Sequence, residues 1–256
     1  MAALFYETRG LSYYCSPLLA VIPEVVHGFF TRRKGLSTGP YHSLNLSFAV
    51  GDRPEAVTHN RLLVQQALNL SSLTSATQVH GLREAVVSSS AQVGGTDLPA
   101  ADILITTQPG VGLLIKQADC QVVMLYDPVH RVVANVHCGW RGQVQNILAE
   151  AVSRLRERFA TRPGDLYAAI GPSLGPCCAE FRNFLQEFPR ELWPYQVRPG
   201  FFDLWRLSHD QLLAVGLTPD RIDIAGLCTR CQAADWYSYR RDKITGRQGA
   251  VIALRP

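Results

Sequence analysis

Three short motifs in this chain carry residues that bind metals or act as nucleophiles: Thr77-Gln78-Val79-His80-Gly81, Ala118-Asp119-Cys120 and Asn135-Val136-His137-Cys138-Gly139-Trp140-Arg141-Gly142. Two imidazoles and one thiolate fill three of the four positions of a tetrahedral zinc ion. The fourth is what a catalytic site keeps for water or substrate. His80, Cys120 and His137 are 40 and 17 residues apart, so no local finger or ribbon joins them and the fold must bring them together. A lone buried His or Cys is more often packing than ligand; what argues for a site is the glycine-rich setting of the two histidines and the place of Cys120, after Asp119, where the apolar run from Val111 to Lys116 ends. Cys120 also admits another reading, as a nucleophile with His137 as its base.

A second feature adjoins the first. The strand ending at His137 leads through Cys138-Gly139-Trp140-Arg141-Gly142 directly into a helical pattern. Two glycines allow backbone N–H groups to approach a ligand, a helix N-terminus adds positive potential, and Arg141 offers a bidentate fork for phosphate or carboxylate. Gly139, Arg141 and Gly142 are therefore candidate anion contacts, against the plainer reading of a tight turn with a surface arginine. Two more basic clusters, Thr31 to Pro40 containing Arg32, and Tyr239-Arg240-Arg241-Asp242 with Thr245-Gly246-Arg247, could add cations or be solvated loops. Cys177-Cys178 and Cys228-Thr229-Arg230-Cys231 could form a four-thiolate site, or the second pair a redox dithiol. Adjacent cysteines do not easily place both sulfurs on one tetrahedron, so these read as buried thiols.

The elements that must position these groups follow from periodicity. The spacing predicts a helix over Pro54 to Leu70 capped by Asp52, strands at Val111 to Lys116, Gln121 to Tyr126 and Arg131 to His137, and a helix over Gln143 to Phe159. Further on it predicts a strand at Leu166 to Ile170, helices over Ala179 to Phe188 and Asp203 to Val215, and a strand at Ile222 to Leu227. Pro189 to Pro199 reads as a surface loop. Strands and helices are intermixed, with no repeat and no clear linker. At 256 residues with 47% hydrophobic and 18% charged residues, the chain suits one soluble domain. No apolar run approaches the roughly 20 residues that span a membrane, and the N-terminus lacks the pattern of a secretory signal. Seven cysteines without an export signal suggest thiols, and a cytoplasmic location. The net charge of +4 is scattered without basic and aromatic alternation, so anionic small molecules fit better than nucleic acid.

Thr31-Arg32, Gly39-Pro40-Tyr41 with Ser43-Leu44-Asn45-Leu46, Gly51-Asp52, Asn60-Arg61, Gln78-Val79-His80-Gly81, Ala101-Asp102, Ala118-Asp119-Cys120, the His137 to Gly142 run, Ile170-Gly171-Pro172, Cys228-Thr229 and Ser238-Tyr239-Arg240-Arg241 together resemble the YfiH/YlmD, or laccase-domain, family. The resemblance covers the chain from about residue 28 to 256. It implies a single α+β domain of layered mixed sheets flanked by helices, in an α/β/β/α order, and a zinc site on His80, Cys120 and His137, with copper as an alternative metal. It departs from the family at Cys138, where Ala is common and a thiol could add a ligand or affect metal choice, and at Cys231, which is outside the pattern.

The activity the resemblance implies is phosphorolysis of adenosine, inosine or methylthioadenosine, with adenosine deamination at the same site. Nucleoside and phosphate are then the partners. Arg141 would hold phosphate with Arg32 or Arg241 assisting, Asp119 or the metal would manage the proton or charge on the departing base, and Asn45 and Gln78 would join the substrate contacts. A zinc ion would supply the activated water that attack at purine C6 needs. Other readings are polyphenol oxidation by copper, for which seven histidines without a His-x-His pair are few, a cysteine hydrolase editing peptidoglycan precursors, and a metal-stabilised binding protein.

Overall fold

The computed structural model describes residues 2–88 and 97–256. Its strands, in chain order, are β1 (Leu4–Thr8), β2 (Leu11–Cys15), β3 (Val25–Phe30), β4 (Ser72–Thr74), β5 (Glu84–Val86), β6 (Ile103–Thr106) and β7 (Val111–Gln117). There follow β8 (Gln121–Asp127), β9 (Val132–Cys138), β10 (Tyr167–Ile170), β11 (Gln196–Arg198), β12 (Phe201–Phe202), β13 (Ile222–Ile224) and β14 (Gln248–Leu254). One sheet has the order β1-β2-β3-β14-β7-β4, a second β13-β10-β8-β9-β6-β5, and β11-β12 form a separate hairpin. Both large sheets are mixed: β4 with β7, β5 with β6, and β10 with β13 run parallel, and the other neighbours antiparallel.

Alternation along the strands decides the layering, since successive side chains in a strand point to opposite faces. Leu113 and Ile115 of β7, Ile252 of β14, and Val122, Met124 and Tyr126 of β8 share the core between the two sheets. The intervening Leu114, Val251 and Ala253 pack beneath α2 (Pro54–Ala67), after α1 (Pro17–Ala20). On the far side of the second sheet, Val123, Leu125 and Val136 meet Leu148, Val152 and Leu155 of α4 (Ile147–Phe159). The order is therefore α/β/β/α in one α+β domain, as the resemblance implied. The remaining helices are α3 (Trp140–Val144), α5 (Phe184–Glu187), α6 (Leu204–Ala214) and α7 (Tyr239–Asp242). Among the described residues no helix is long and apolar enough to cross a membrane.

The three central strands lie where periodicity put them, to within a residue. Four expectations need correction. The helix expected from Gln143 is two helices, because Asn146 adopts a left-handed φ of 56° and its side chain caps α4 by accepting from Ala149 N (3.3 Å). The segment expected to be helical from Ala179 is extended until α5: Phe181 N donates to Gly200 O at 2.7 Å, and Ala179 and Phe181 are buried in an aromatic cluster with Phe202. Asp52 does not cap α2, whose N-cap is Arg53; its carboxylate accepts from Ser37 and Asn45. The expected loop before Pro199 contains a short 3-10 helix, Arg190–Tyr195, and β11. Periodicity also passed over β1 to β3, whose first member is exposed and shows no apolar alternation.

A candidate metal centre between the sheets

The topology explains how ligands far apart in sequence meet. Cys120 sits on the tight connection from β7 in the first sheet to β8 in the second, and His80 on the crossing from β4 to β5. His137 stands near the end of β9, beside β8, where Val122 pairs with it. Two of the three residues thus lie on segments that pass from one layer to the other. The ligand atoms of His80, Cys120 and His137 all fall within 4.8 Å of one another. His80 Nε2 is 3.7 Å from Cys120 Sγ. A tetrahedral zinc ion with ordinary Zn–N and Zn–S bonds holds such atoms about 3.6 Å apart. The donor set and its spacing fit a single ion.

Both flanking backbones adopt costly conformations. His80 has φ 59° and Asp119 φ 90°, left-handed values that non-glycine residues take at about 1–3 kcal/mol unless their surroundings impose them. The surroundings do so here through two carboxylates. Fully buried Asp102 accepts from the backbone N–H groups of Val79 (3.2 Å), His80 (3.0 Å) and Gly81 (2.9 Å), and its Oδ1 also meets His137 Nδ1 at 2.7 Å. It fixes the His80 turn and the His137 ring together, leaving His137 Nε2 for an ion. Asp119 accepts from Thr229 Oγ1 (2.8 Å), Ser238 Oγ (3.0 Å) and Arg240 N (2.6 Å). With three donors on it, Asp119 holds the Cys120 turn, and it also lines the cleft beside the triad.

Electrostatics agree with a thiolate. Burial pushes the Cys120 thiol up, but hydrogen bonds and charge from His137 and His80 overcome it and bring the thiol down to about 6. Burial likewise disfavours protonated His137, yet its bonds to Asp102 and Cys120 raise it to about 9. Burial also pushes the Asp102 carboxyl up, and the hydrogen bonds from His137 and the 79–81 turn hold it below its usual range instead. Gly139 closes the site: a Cβ there would stand 3.0 Å from His80 Cδ2 and 3.3 Å from Cys120 Sγ. Among the described residues Cys138 belongs to no metal-capable group; burial keeps its thiol up at about 12, and its sulfur faces Ser208 Oγ at 3.9 Å in the helix-side layer.

Two clefts flank the triad and share His80, Cys120 and Tyr239. One, of about 480 Å³, has apolar walls of Trp140, Leu174, Phe181 and Leu204, with Arg141 and Arg240 at its edge. The other, of about 500 Å³, is lined by Gln78, Lys116, Gln117 and Arg247. Arg141 is exposed and lies over the Trp140 ring at 5.2 Å. The helix behind it has five residues, so its dipole adds little, and anion binding there rests on the side chain. Gly142 is inside that helix against Ile147, 3.2 Å from where a Cβ would be, and contributes packing.

Several expected substrate contacts are engaged elsewhere. Arg32 donates twice to His42 O (2.9 and 2.8 Å) in a separate depression. Arg241 is tied to Asp242 and to the carbonyls of Thr229, Arg230 and Trp236. Buried Asn45 bonds Ser47, Asp52 and Arg247 N. Gln78 lines the second cleft but spends its amide on the backbone of Lys116 (2.8 and 2.9 Å). Asp102, Tyr239, Arg240 and Arg247 stand in motifs or basic clusters noted in the sequence, but the sequence gives none of them a place in the site; the fold puts Tyr239 and Arg240 on the aromatic cleft, Tyr239 and Arg247 on the second, and Asp102 behind His80 and His137.

Residues 26–255 match the model of the family described as multi-copper polyphenol oxidoreductase laccase. The chain is 33% identical over 248 residues to purine nucleoside phosphorylase YlmD of Bacillus subtilis, covering 91% of this chain and 89% of that one. It is 30% identical over 257 residues to a purine nucleoside phosphorylase of Bacteroides thetaiotaomicron, covering 94% of each. Among solved structures, YlmD from Geobacillus stearothermophilus superposes with a TM-score of 0.89 at 32% identity, over 99% of this chain and 100% of that one. Bacillus licheniformis YfiH gives 0.87 at 29% identity, over 98% and 99%. Fold, motif order and sequence similarity over nearly the whole length agree: this chain belongs to the laccase-domain family of YfiH and YlmD.

Proposed function

We propose that this protein is a zinc-dependent purine nucleoside phosphorylase that also deaminates adenosine. The observation that carries the reading is a three-ligand cluster opening onto two clefts, one walled by Trp140, Leu174, Phe181 and Leu204, the other bearing Gln78, Arg247 and the paired Lys116 and Asp97. The relatives named as purine nucleoside phosphorylases support it. His80, Cys120 and His137 would hold the ion, which when bound would supply Lewis acidity and activate water. The walls of Trp140, Phe181 and Tyr239 suit the flat faces of a purine. Arg141 would hold phosphate, with Arg240 and Arg247 assisting in preference to Arg32 and Arg241 because they line the two clefts, although each also donates to backbone carbonyls. In phosphorolysis a phosphate oxygen bonds to ribose C1′, the C1′–N9 bond breaks, and the departing base takes up the electron pair and a proton. Holding both reactants in adjoining clefts supplies the proximity that this displacement needs. Deamination adds water at C6 and expels ammonia, without phosphate.

The test is chromatography of products from zinc-loaded protein incubated with adenosine, with and without phosphate, beside a His80→Ala control. Phosphate-dependent adenine and phosphate-independent inosine, both lost in the control, are expected. Arg141→Ala should raise the phosphate requirement far more than it slows deamination, and equal loss of both activities would remove Arg141 from the phosphate site.

A second reading has its own support. Cys120, His137 and Asp102 form a thiol, imidazole and carboxylate series with a 2.7 Å bond at its far end and a thiol already lowered to about 6, the arrangement of a cysteine nucleophile. Alkylation of Cys120 that zinc fails to prevent, with turnover of an amide substrate, would favour a hydrolase. Copper oxidation has less support: among the described residues His27, His42, His59, His130 and His209 join neither metal-capable group.

A further inference from the structure

Away from the triad, Cys177, Cys178, Cys228 and Cys231 gather four sulfurs within 4.8 Å of one another. Cys231 Sγ is 3.6 Å from Cys177 Sγ and 3.5 Å from Cys178 Sγ. We propose that these four cysteines bind one structural Zn²⁺ ion as thiolates, separately from the catalytic triad. In a tetrahedral site with Zn–S bonds of about 2.3 Å, the sulfurs lie about 3.8 Å apart, close to the separations found. An iron–sulfur cluster would hold its ligand sulfurs farther apart, and a disulfide would need one pair at about 2 Å. With no water position among four protein ligands, the site is of the closed, structural kind.

The adjacent pair reaches one ion because it lies in a turn and not in a strand. Cys178 N and Ala179 N both donate to Gly175 O at 2.9 Å, and a helical turn sets successive side chains about 100° apart, where a strand would set them opposed. The other pair follows the Cys-x-x-Cys spacing common to zinc knuckles. Gly175 N donates to Cys228 Sγ (3.4 Å), and the N–H groups of Arg230 and Cys231 also serve that sulfur. Such donors stabilise a thiolate ligand. Arg198 donates to the Cys177 carbonyl at 3.3 Å, bringing positive charge near a centre that would carry net negative charge once each thiol has released its proton. Two of the cysteines are buried and two exposed, so the ion has an entry path and the set is not the group of inert buried thiols expected from sequence.

The position gives such an ion a purpose. It would join the Gly175 to Ala179 turn, next to Ser173, Leu174 and Phe181 of the aromatic cleft, to the loop whose Thr229 holds Asp119. Leu174 N donates to Asp119 O at 3.0 Å, closing the circuit to the Cys120 turn.

The experiment is metal analysis of protein purified under reducing conditions and equilibrated with zinc, comparing wild type with Cys231→Ser, Cys177→Ser and His80→Ala. Two zinc ions per chain are expected in wild type and one in each variant. Co²⁺ loaded into His80→Ala should give a strong thiolate-to-cobalt charge-transfer band that is lost when Cys231→Ser is added. Cys177 and Cys231 are exposed, so their serine variants should fold, and far-UV circular dichroism checks that. One ion in wild type, unchanged by Cys231→Ser, would overturn the proposal. So would iron in the zinc-replete protein, or an intact mass two hydrogens lower that marks a disulfide.

Discussion

Asp102→Asn tests the idea that one carboxylate builds the metal centre. The substitution preserves shape and removes one acceptor. In the native site Oδ1 takes His80 N and His137 Nδ1, while Oδ2 takes Val79 N and Gly81 N. An amide retains one oxygen, so in either orientation two N–H groups face an NH₂. Two hydrogen bonds to a charged acceptor, at about 1.5–3 kcal/mol each, set a ceiling of about 3–6 kcal/mol. Water relieves part of that, because Val79 is 50% exposed. The share that falls on the metal is the loss of a fixed His137 tautomer and a fixed His80 turn, for which a drop of about 10–100-fold in affinity is expected, equal to about 1.4–2.7 kcal/mol. Competition for zinc with a chromophoric chelator measures it, and circular dichroism confirms the fold. Native zinc affinity in a folded Asp102→Asn protein would refute the role assigned to Asp102. A fall in melting temperature with affinity unchanged would make it a packing residue only.

Three further outcomes follow from single contacts. Gly139→Ala should fold, since φ is −68° there, yet bind zinc about tenfold more weakly because the methyl presses on His80 and Cys120; unchanged affinity would show that the ligands move aside freely. His27 is buried and neutral, with its pKa driven down to about 4 by burial, and its Nε2 accepts from Ser16 N. An unfolded histidine takes its proton near 6.5, so the unfolded state binds more protons between pH 6.5 and 4, and stability falls as pH falls through that window. Between pH 7 and 5 this costs about 2 kcal/mol, so melting in chelator should drop by about 4–8 °C less in His27→Gln than in wild type, and parallel drops would place the acid sensitivity elsewhere. Asp119→Ala should strand three donors that now meet the carboxylate and disturb the Cys120 turn, lowering zinc affinity and both activities together; selective loss of phosphorolysis would give Asp119 a role in protonating the base.

His80 and His137 could be read from sequence because Gly81 and Gly139 adjoin them in short motifs, and Cys120 because it follows Asp119 where the apolar run from Val111 to Lys116 ends. The sheets were legible at β7, β8 and β9, where long apolar runs are bounded by turn residues. Other features depend on direction more than on residue type. Asp102 lies in an unremarkable Ala-Ala-Asp segment, and only the pairing of β6 with β9 puts it beside His137. Arg240 and Arg241 are neighbours on one helical turn, yet one lines a cleft while the other binds carbonyls of its own loop. The cysteine pair at 177 and 178 reads from sequence as buried thiols because adjacent cysteines do not easily place both sulfurs on one tetrahedron; in the fold Cys177 is exposed and the pair lies in a turn, with both sulfurs near that of Cys231.

The placement of His80 and Cys120 on crossings between the two sheets would make a bound ion a staple between the layers. Each crossing belongs to one layer at its start and to the other at its end, and His137 rides on the second. If the layers slid against each other by half an ångström, the ligand triangle would distort before any helix noticed. Loading the site should therefore slow amide exchange along both sheets, far from the clefts, and mutations that loosen the packing of Met124 against Ile115 and Ile252 should reach the chemistry as weakened metal binding.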